Sequence, residues 1–174
     1  EPVVQLRTYY LDQESLNGVP SEAWALGGWA GLRSPWWGDV FQLGFVGYTS
    51  QKLYGPDDKD GTRLLRPGQE QITVLGEAVG AVRILGQTLT GYRQLVNRPF
   101  INPRDNRMVP QTFEAYTLTG SAKDVSYTGG YITKMKLRES DSFVWMSNTA
   151  GGTGSQRGVI YAGATWDFAK NGYV

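Results

Sequence analysis

Cysteine and histidine are both absent from the 174 residues of this chain. Without cysteine there is no disulfide framework and no thiolate chemistry. Without either residue, a zinc site or a histidine-based catalytic triad is not expected. No pairing of a nucleophile with a base stands out elsewhere, so the sequence favours a protein that is not an enzyme and needs no cofactor or metal.

Long apolar runs and an excess of charge are also lacking. The richest apolar stretch, 23–32, is about half the length of a membrane-spanning helix and is interrupted by glycines. Seventeen basic and sixteen acidic residues leave a formal net charge of +1, which gives no general attraction to nucleic acid. If the chain crosses a membrane, it has to do so with strands.

The chain instead contains segments in which apolar and polar residues alternate, and this pattern predicts strands with one face of each kind. Eight strands are predicted, at residues 3–10, 24–32, 40–48, 72–84, 88–96, 113–119, 126–136 and 159–168. The last is the clearest, because Ile160, Trp166 and Phe168 share an apolar face opposite Thr165 and Asp167.

The connections between these strands alternate in length. Long connections are predicted at 12–23, 49–71, 97–111 and 137–158, and short ones at 34–39, 85–87, 121–125 and 170–172. Short turns at one end and long loops at the other are typical of a transmembrane β-barrel. Aromatic residues near strand ends fit the girdles of such a barrel; they are Tyr9, Tyr10, Trp24, Trp36, Trp37 and Tyr48. A soluble β-sandwich that binds a ligand, and a closed eight-stranded structural barrel, remain as alternatives.

The segment 97–111 contains the residues best suited to bind a solute. Its three prolines cannot donate to a strand ladder and they stiffen the chain. Arg98, Arg104 and Arg107 against Asp105 give it a local charge of +2. Guanidinium groups bind carboxylates through paired hydrogen bonds, and rings of arginine select anions in pores. Folded inward, the segment would narrow a lumen; in a soluble protein its arginines would pair with Asp105 and Glu114.

Further basic residues are predicted on the polar faces of strands, where they would line a channel beside this loop. They are Arg7, Arg83, Arg93, Lys134 and Lys136, with Glu77 and Glu114 as a candidate acidic wall. A one-residue slip in register would reverse each assignment. The acidic loop 54–67 lacks the spacing of an EF-hand, so a solvated external loop is favoured there over a calcium site.

Three stretches resemble the amino-terminal part of the OprD-type outer-membrane porins. Residues 6–10 (LRTYY) resemble the first strand of that family, and 53–67 resemble its long second external loop. Residues 106–113 (NRMVPQTF) are similar to the signature that ends its constricting third loop. The similarity runs in the same order over nearly the whole chain.

The resemblance implies an all-β, antiparallel up-and-down transmembrane barrel of eighteen strands in the outer membrane of a Gram-negative bacterium. Residues 1–174 would be a single β-barrel domain of about eight strands, the amino-terminal part of a longer barrel. The Asn171-Gly172 pair near the end of the chain would start another strand.

The resemblance also implies passive, selective uptake of small carboxylate-bearing nutrients, such as amino acids and aromatic or other organic acids, through a pore constricted by the basic loop. That loop would contain Arg98, Arg104 and Arg107. A basic ladder on the wall would contain Arg83, Arg93, Lys134 and Lys136. The expected partners are small anionic or zwitterionic solutes, membrane lipid and lipopolysaccharide, with assembly as a homotrimer or a monomer.

Overall fold

The computed structural model describes residues 1–16 and 18–166, and these form one antiparallel sheet in which each strand pairs with the next along the chain, except that the last strand pairs two strands back. The strands are β1 (Pro2–Glu14), β2 (Pro20–Arg33), β3 (Phe41–Tyr54), β4 (Ile72–Ile84), β5 (Gln87–Gln94), β6 (Thr112–Ala122), β7 (Val125–Lys136), β8 (Phe143–Trp145) and β9 (Val159–Trp166). β8 and β9 both pair with β7. A one-turn helix, α1 (Met146–Thr149), and a 3-10 turn at Asp57–Lys59 complete the elements. Within these residues no helix has the length and apolar character needed to span a membrane.

Seven of the predicted strands correspond to β1–β7 and the eighth to β9. The first connection differs from its prediction, because β1 runs on to Glu14 and β2 begins at Pro20, which leaves only the turn 15–19. The short strand β8 was not predicted. The positions of Asp167, Phe168 and the 170–172 turn, and of any strand that follows it, lie outside the described residues.

The remaining connections confirm the predicted alternation. The tight turns 34–40, 85–86 and 123–124 lie at one end of the sheet, here called the turn end. The β3–β4 loop (55–71), the β5–β6 loop (95–111) and the segment 137–158 lie at the other, the loop end.

One face of the sheet, the outer face, is apolar and exposed. Leu6, Leu32 and Ile160 are 76%, 66% and 81% exposed. Directly paired residues of an antiparallel ladder lie on the same side, and the register places the exposed apolar side chains of successive strands on this one face. Since an apolar surface of this extent needs a non-aqueous neighbour, it fits the lipid-facing side of a barrel.

Both alternatives to a large barrel disagree with this arrangement. The row of Ile160 and Trp166 is exposed rather than packed against a second sheet, as a sandwich would require. In the described part of the chain, β1 pairs only with β2, and β9 only with β7, so the sheet does not close on itself. The sheet is a half-barrel.

A single-residue bulge at Gly76 changes which side chains of β4 face inward. Strict alternation over 72–84 would place Ile72 and Val82 on one face, but Ile72 is buried on the inner face and Val82 lies on the outer one. A Cβ at Gly76 would lie 2.4 Å from Cδ2 of Tyr48. Only glycine therefore leaves room for the inward-facing Tyr48 ring.

The predicted aromatic girdle is only partly present. Tyr10 and Trp24 are exposed on the outer face near the loop end, and Trp37 stacks on Phe41 at 5.5 Å at the turn end. Tyr48 is instead buried, so proximity to a strand end did not decide its environment.

The inner face is covered near the loop end by two loops. Leu64 from the β3–β4 loop and Met108 and Val109 from the β5–β6 loop have no exposed surface. They pack in one apolar cluster with Val46 and Ile72 of the sheet. The beginning of the β5–β6 loop packs in a second cluster, formed by Val96, Ile101, Phe113, Ile132, Met135 and Tyr161 among others. The β5–β6 loop therefore extends across the inner face, held by apolar contacts at both ends.

Candidate functional site

An ion pair fixes the middle of the β5–β6 loop to β1. Arg7 donates from Nη1 and Nη2 to the two carboxylate oxygens of Asp105, at 2.6 and 2.8 Å. The same guanidinium donates to the carbonyl of Arg107 at 2.9 Å and lies 4.3 Å from the ring centre of Trp29. The inward position predicted for Arg7 is confirmed, and the two parallel bonds give the contact a defined orientation.

Three other cations connect the β5–β6 loop to its surroundings by donating to uncharged acceptors. Arg107 donates from Nε to the carbonyl of Thr62 at 3.0 Å, which ties the loop to its neighbour. Lys136 has no exposed surface and donates from Nζ to the carbonyls of Pro110 and Leu137 at 3.0 and 3.1 Å. Arg107 and Lys136 were both predicted to bind solute. In this arrangement Nε and Nη1 of Arg107 donate to backbone carbonyls. Lys136 is fully buried and is therefore out of reach of a solute.

The third cation, Arg138, was not predicted as a site residue. It donates to the Asn106 side chain of the loop. Burial lowers the pKa of Arg138, and the positive charge of Arg107 acts in the same direction. An arginine nevertheless keeps its proton at neutral pH, so the contact remains charge-assisted.

Arg98 and Arg104 are placed differently from Arg107. Arg98 is half-buried in a tight turn closed by hydrogen bonds between its backbone and that of Ile101, at 2.7 and 3.2 Å. Arg104 is exposed, with its amide donating to Oδ1 of Asn102 at 3.0 Å. Both line an open cavity of about 570 Å³. Within residues 1–16 and 18–166 neither guanidinium has a carboxylate partner.

A second cavity, of about 400 Å³, lies between the sheet and the β5–β6 loop, and we call it the wall pocket. Its polar lining comes from the inner faces of β2 to β6 and from the loop: Arg33, Gln42, Glu77, Thr88, Thr90, Gln94, Arg98, Thr117 and Thr119. The pocket thus brings the loop cation Arg98 to the same space as a wall cation, Arg33.

Arg33 is a residue that the sequence reasoning missed. It donates from Nη2 to the buried carboxylate of Glu77 at 2.6 Å, and the other oxygen of Glu77 accepts from the Tyr48 hydroxyl at 2.8 Å. Among the residues that the structure describes, the buried Arg33 Nε has no hydrogen-bond partner. The sequence did contain an indication of its position. Odd-numbered residues of β2, such as Ala23 and Ala25, face inward, and the same alternation places residue 33 on the inner face, one residue past the predicted end of the strand. Glu77, predicted as an acidic wall, is the counter-ion of Arg33.

Arg83 lies on the inner face near the turn end, as predicted, since it pairs with Thr88 of the wall pocket. Its guanidinium lies 4.1 Å from the ring centre of Trp36, which also lines that pocket. Such a stack stabilises the cation and leaves its edge donors available.

Arg93 and Lys134 lie on the outer face, so their predicted placement on the polar face is wrong. β7 has a bulge at Thr133, which moves Lys134 to the side of the sheet that carries the exposed Tyr116. Arg93 pairs with Glu114 of that same side. Both cations contact the Glu114 carboxylate, at 3.2 and 3.5 Å, and form a small charged cluster near the loop end.

The carboxylates of the acidic loop are used separately. Asp57 lies 3.3 Å from Lys52, and Asp60 accepts the amides of Gly61 and Gly68, both at 2.7 Å. Throughout the part of the chain that the structure describes, no three acidic, histidine or cysteine side chains come together as a metal site would require.

A half-barrel with an exposed apolar outer face, tight turns at one end and loops folded onto a polar inner face defines a transmembrane β-barrel of the porin class. The chain belongs to the OprD family of outer-membrane porins, whose family model matches residues 2–174. Its place is therefore the outer membrane of a Gram-negative bacterium. A comparison with curated protein sequences found no match.

Solved porin structures show the same fold at low sequence identity. OccK9 (OpdG) of Pseudomonas aeruginosa is 23% identical, with a TM-score of 0.81 over 95% of this chain and 46% of its own. OpdK of P. aeruginosa, solved with vanillate, is 21% identical, with a TM-score of 0.77 over 95% and 44%. OccK2 (OpdF) of P. aeruginosa, in complex with glucuronate, is 19% identical, with a TM-score of 0.72 over 94% and 41%. The chain spans less than half the length of these structures.

Proposed function

We propose that the complete barrel is a passive channel for small carboxylate-bearing solutes and that its narrowest part lies where the β5–β6 loop crosses the inner face. One observation carries this proposal: the loop is tied to the wall by Arg7 and Asp105, while Arg98 and Arg104 remain without a carboxylate partner in the described residues. Cations held in a confined aqueous space attract anions and exclude many competing solutes.

The basic path would run from Arg104 and Arg98 in the loop to Arg33 and Arg83 on the wall. A carboxylate passing from the loop end toward the turn end would meet guanidinium groups at each stage, and each can offer paired donors. The vanillate and glucuronate of the relatives are carboxylates, which supports this solute class. Amino acids and aromatic or other organic acids belong to the same class.

The other predicted cations would have supporting roles. Arg107 and Lys136 would hold the loop in its position across the inner face, through hydrogen bonds to backbone carbonyls. Arg93 and Lys134 would meet membrane lipid or lipopolysaccharide, because they lie on the outer face beside Glu114. Assembly as a homotrimer or a monomer remains part of this proposal.

Single-channel recording of the full-length protein in planar bilayers tests the proposal. Benzoate added to a potassium chloride bath should reduce the current by binding in the constriction. For the Arg98→Gln, Arg104→Gln double variant, we expect its half-blocking concentration to rise by about tenfold or more, since two charge-assisted contacts are lost.

The matched control is the Lys123→Gln, Arg157→Gln double variant, which removes two exposed cations from a turn and from the segment 137–158. Its half-blocking concentration should stay within about twofold of the parent value, because distant exposed charges act only through a screened field. Benzoate block that is unchanged by loss of Arg98 and Arg104 would overturn the proposed mechanism.

A further inference from the structure

We propose that the wall pocket selects polyhydroxylated carboxylates over apolar carboxylates of the same size and charge. This inference rests on the proposed channel function and assigns it a solute class. It depends on three threonine hydroxyls and two arginines that line the pocket.

The threonines are Thr88, Thr90 and Thr119. They lie on the inner face: Thr88 pairs with Thr119 across β5 and β6, and Thr90 pairs with Ala81 of β4. All three are half-buried and line the pocket. Among the residues that the structure describes, none of their hydroxyls makes a hydrogen bond to protein. Each hydroxyl can both donate to and accept from a solute.

The neighbouring polar groups of the pocket are, by contrast, already engaged. The Gln94 amide donates to the carbonyl of Ala115 at 2.9 Å and its oxygen accepts from the Thr117 hydroxyl at 2.9 Å. These two side chains form a fixed polar back to the pocket. Gln94 and Thr117 thus form a structural pair, whereas the three threonine hydroxyls make no hydrogen bond within the described residues.

Two cations border the same space. Arg98 enters from the loop and has no carboxylate partner within residues 1–16 and 18–166. Arg33 enters from β2 with Nη2 bound to Glu77, and Nε is shielded from the pocket. A solute oxygen would meet Arg33 through Nη1, which donates to no acceptor among the described residues, since the side chain is 41% exposed. A carboxylate at the cations would place the rest of the solute along the threonines.

The size of the pocket agrees with a small acid. Its volume of about 400 Å³ lies at the lower end of the range for ligand pockets, about 300–1,000 Å³. A hydrogen-bonding site discriminates strongly against an analogue that lacks the bonded group, because its own polar atoms are then left unpaired. Loss of each hydroxyl contact should weaken binding by roughly two- to tenfold.

Competing block by D-gluconate and hexanoate tests the inference, because the two acids share chain length and charge and differ in hydroxyl groups. In the full-length protein we expect gluconate to block the current at a concentration at least fivefold lower than hexanoate. Replacing Thr88 and Thr90 by valine keeps their shape and strand propensity, and should make the two acids block equally. Serine at both positions should restore the preference. Thr73→Val, on the outer face, is the control and should change neither value.

Each outcome separates the two proposals. Equal block by gluconate and hexanoate in the parent protein overturns the solute class and leaves the channel function standing. A gluconate preference that survives the Thr88→Val, Thr90→Val change overturns the assignment to the wall pocket. Absence of block by either acid, in a protein that conducts potassium chloride, contradicts the carboxylate channel itself.

Discussion

Replacing Asp105 by asparagine should loosen the β5–β6 loop without unfolding the sheet. The change keeps the side-chain shape and removes the charge that meets Arg7 at 2.6 and 2.8 Å. The loop would still be held by its apolar clusters and by Arg107 and Lys136. The expected effect is therefore a local opening rather than global unfolding.

The magnitude follows from the exposure of the pair. Hydrogen bonds to charged groups contribute about 1.5–3 kcal/mol when well shielded. The side chains of Arg7 and Asp105 are 24% and 36% exposed, so solvent screening reduces the value. We expect a loss of about 1 kcal/mol in the free energy of loop opening, since asparagine keeps part of the contact. That loss corresponds to roughly a fivefold increase in the open population.

Amide hydrogen exchange of the purified protein in detergent measures this opening. The amide of Gln111 is the best reporter, because it donates to the carbonyl of Pro103 at 2.7 Å within the loop. Its exchange should become about fivefold faster in Asp105→Asn, while amides in the centre of β2 keep their rates. Asp58→Asn removes an exposed carboxylate from the β3–β4 loop and should change neither. Unchanged exchange at Gln111, or equal acceleration in β2, would refute the idea of a local ionic tie.

Two further substitutions test how the sheet is built. Gly76→Ala should lower the free energy of unfolding by more than about 2 kcal/mol, because its Cβ would lie 2.4 Å from the Tyr48 ring. Gly47→Ala, whose Cβ would meet its nearest atom at 3.8 Å, should be tolerated, and equal losses in the two variants would contradict the packing described. Leu118→Arg on the outer face should cost up to about 2–4 kcal/mol in lipid and Thr90→Arg on the inner face much less. Reversible unfolding in vesicles measures both, and a larger loss for Thr90→Arg would reverse the assignment of the faces.

The strands and their order were predictable because they depend on short-range alternation. Val4 and Leu6 share the outer face, as the alternation within 3–10 requires, and the tight turns lie where proline, glycine and aspartate interrupt the pattern. The exact ends of β1 and β2 were not predictable, since polar and charged residues at 12–14 and 21–22 interrupt the apolar pattern although the strands continue through them.

The faces of individual cations were less predictable because one bulge inverts the alternation. Thr133 moves Lys134 to the outer face, and no local feature of the sequence marks that position as a bulge. The partner of Asp105 could not be predicted from the sequence either, since Arg7 lies in β1, about a hundred residues earlier, and meets Asp105 only because the loop folds inward. Arg33 was missed for a simpler reason: its strand is one residue longer than the pattern indicated.

Cysteine labelling tests most directly whether the inner face lines an aqueous passage. The 174 residues contain no cysteine, so an introduced thiol is unique within this part of the barrel, and the parent protein treated with the same reagent gives the background. We expect a charged, membrane-impermeant thiol reagent to react with Thr90→Cys and to reduce the single-channel current in one step, and to leave Leu118→Cys unmodified. Rapid reaction at position 118 together with no reaction and no change in current at position 90 would contradict the central claim.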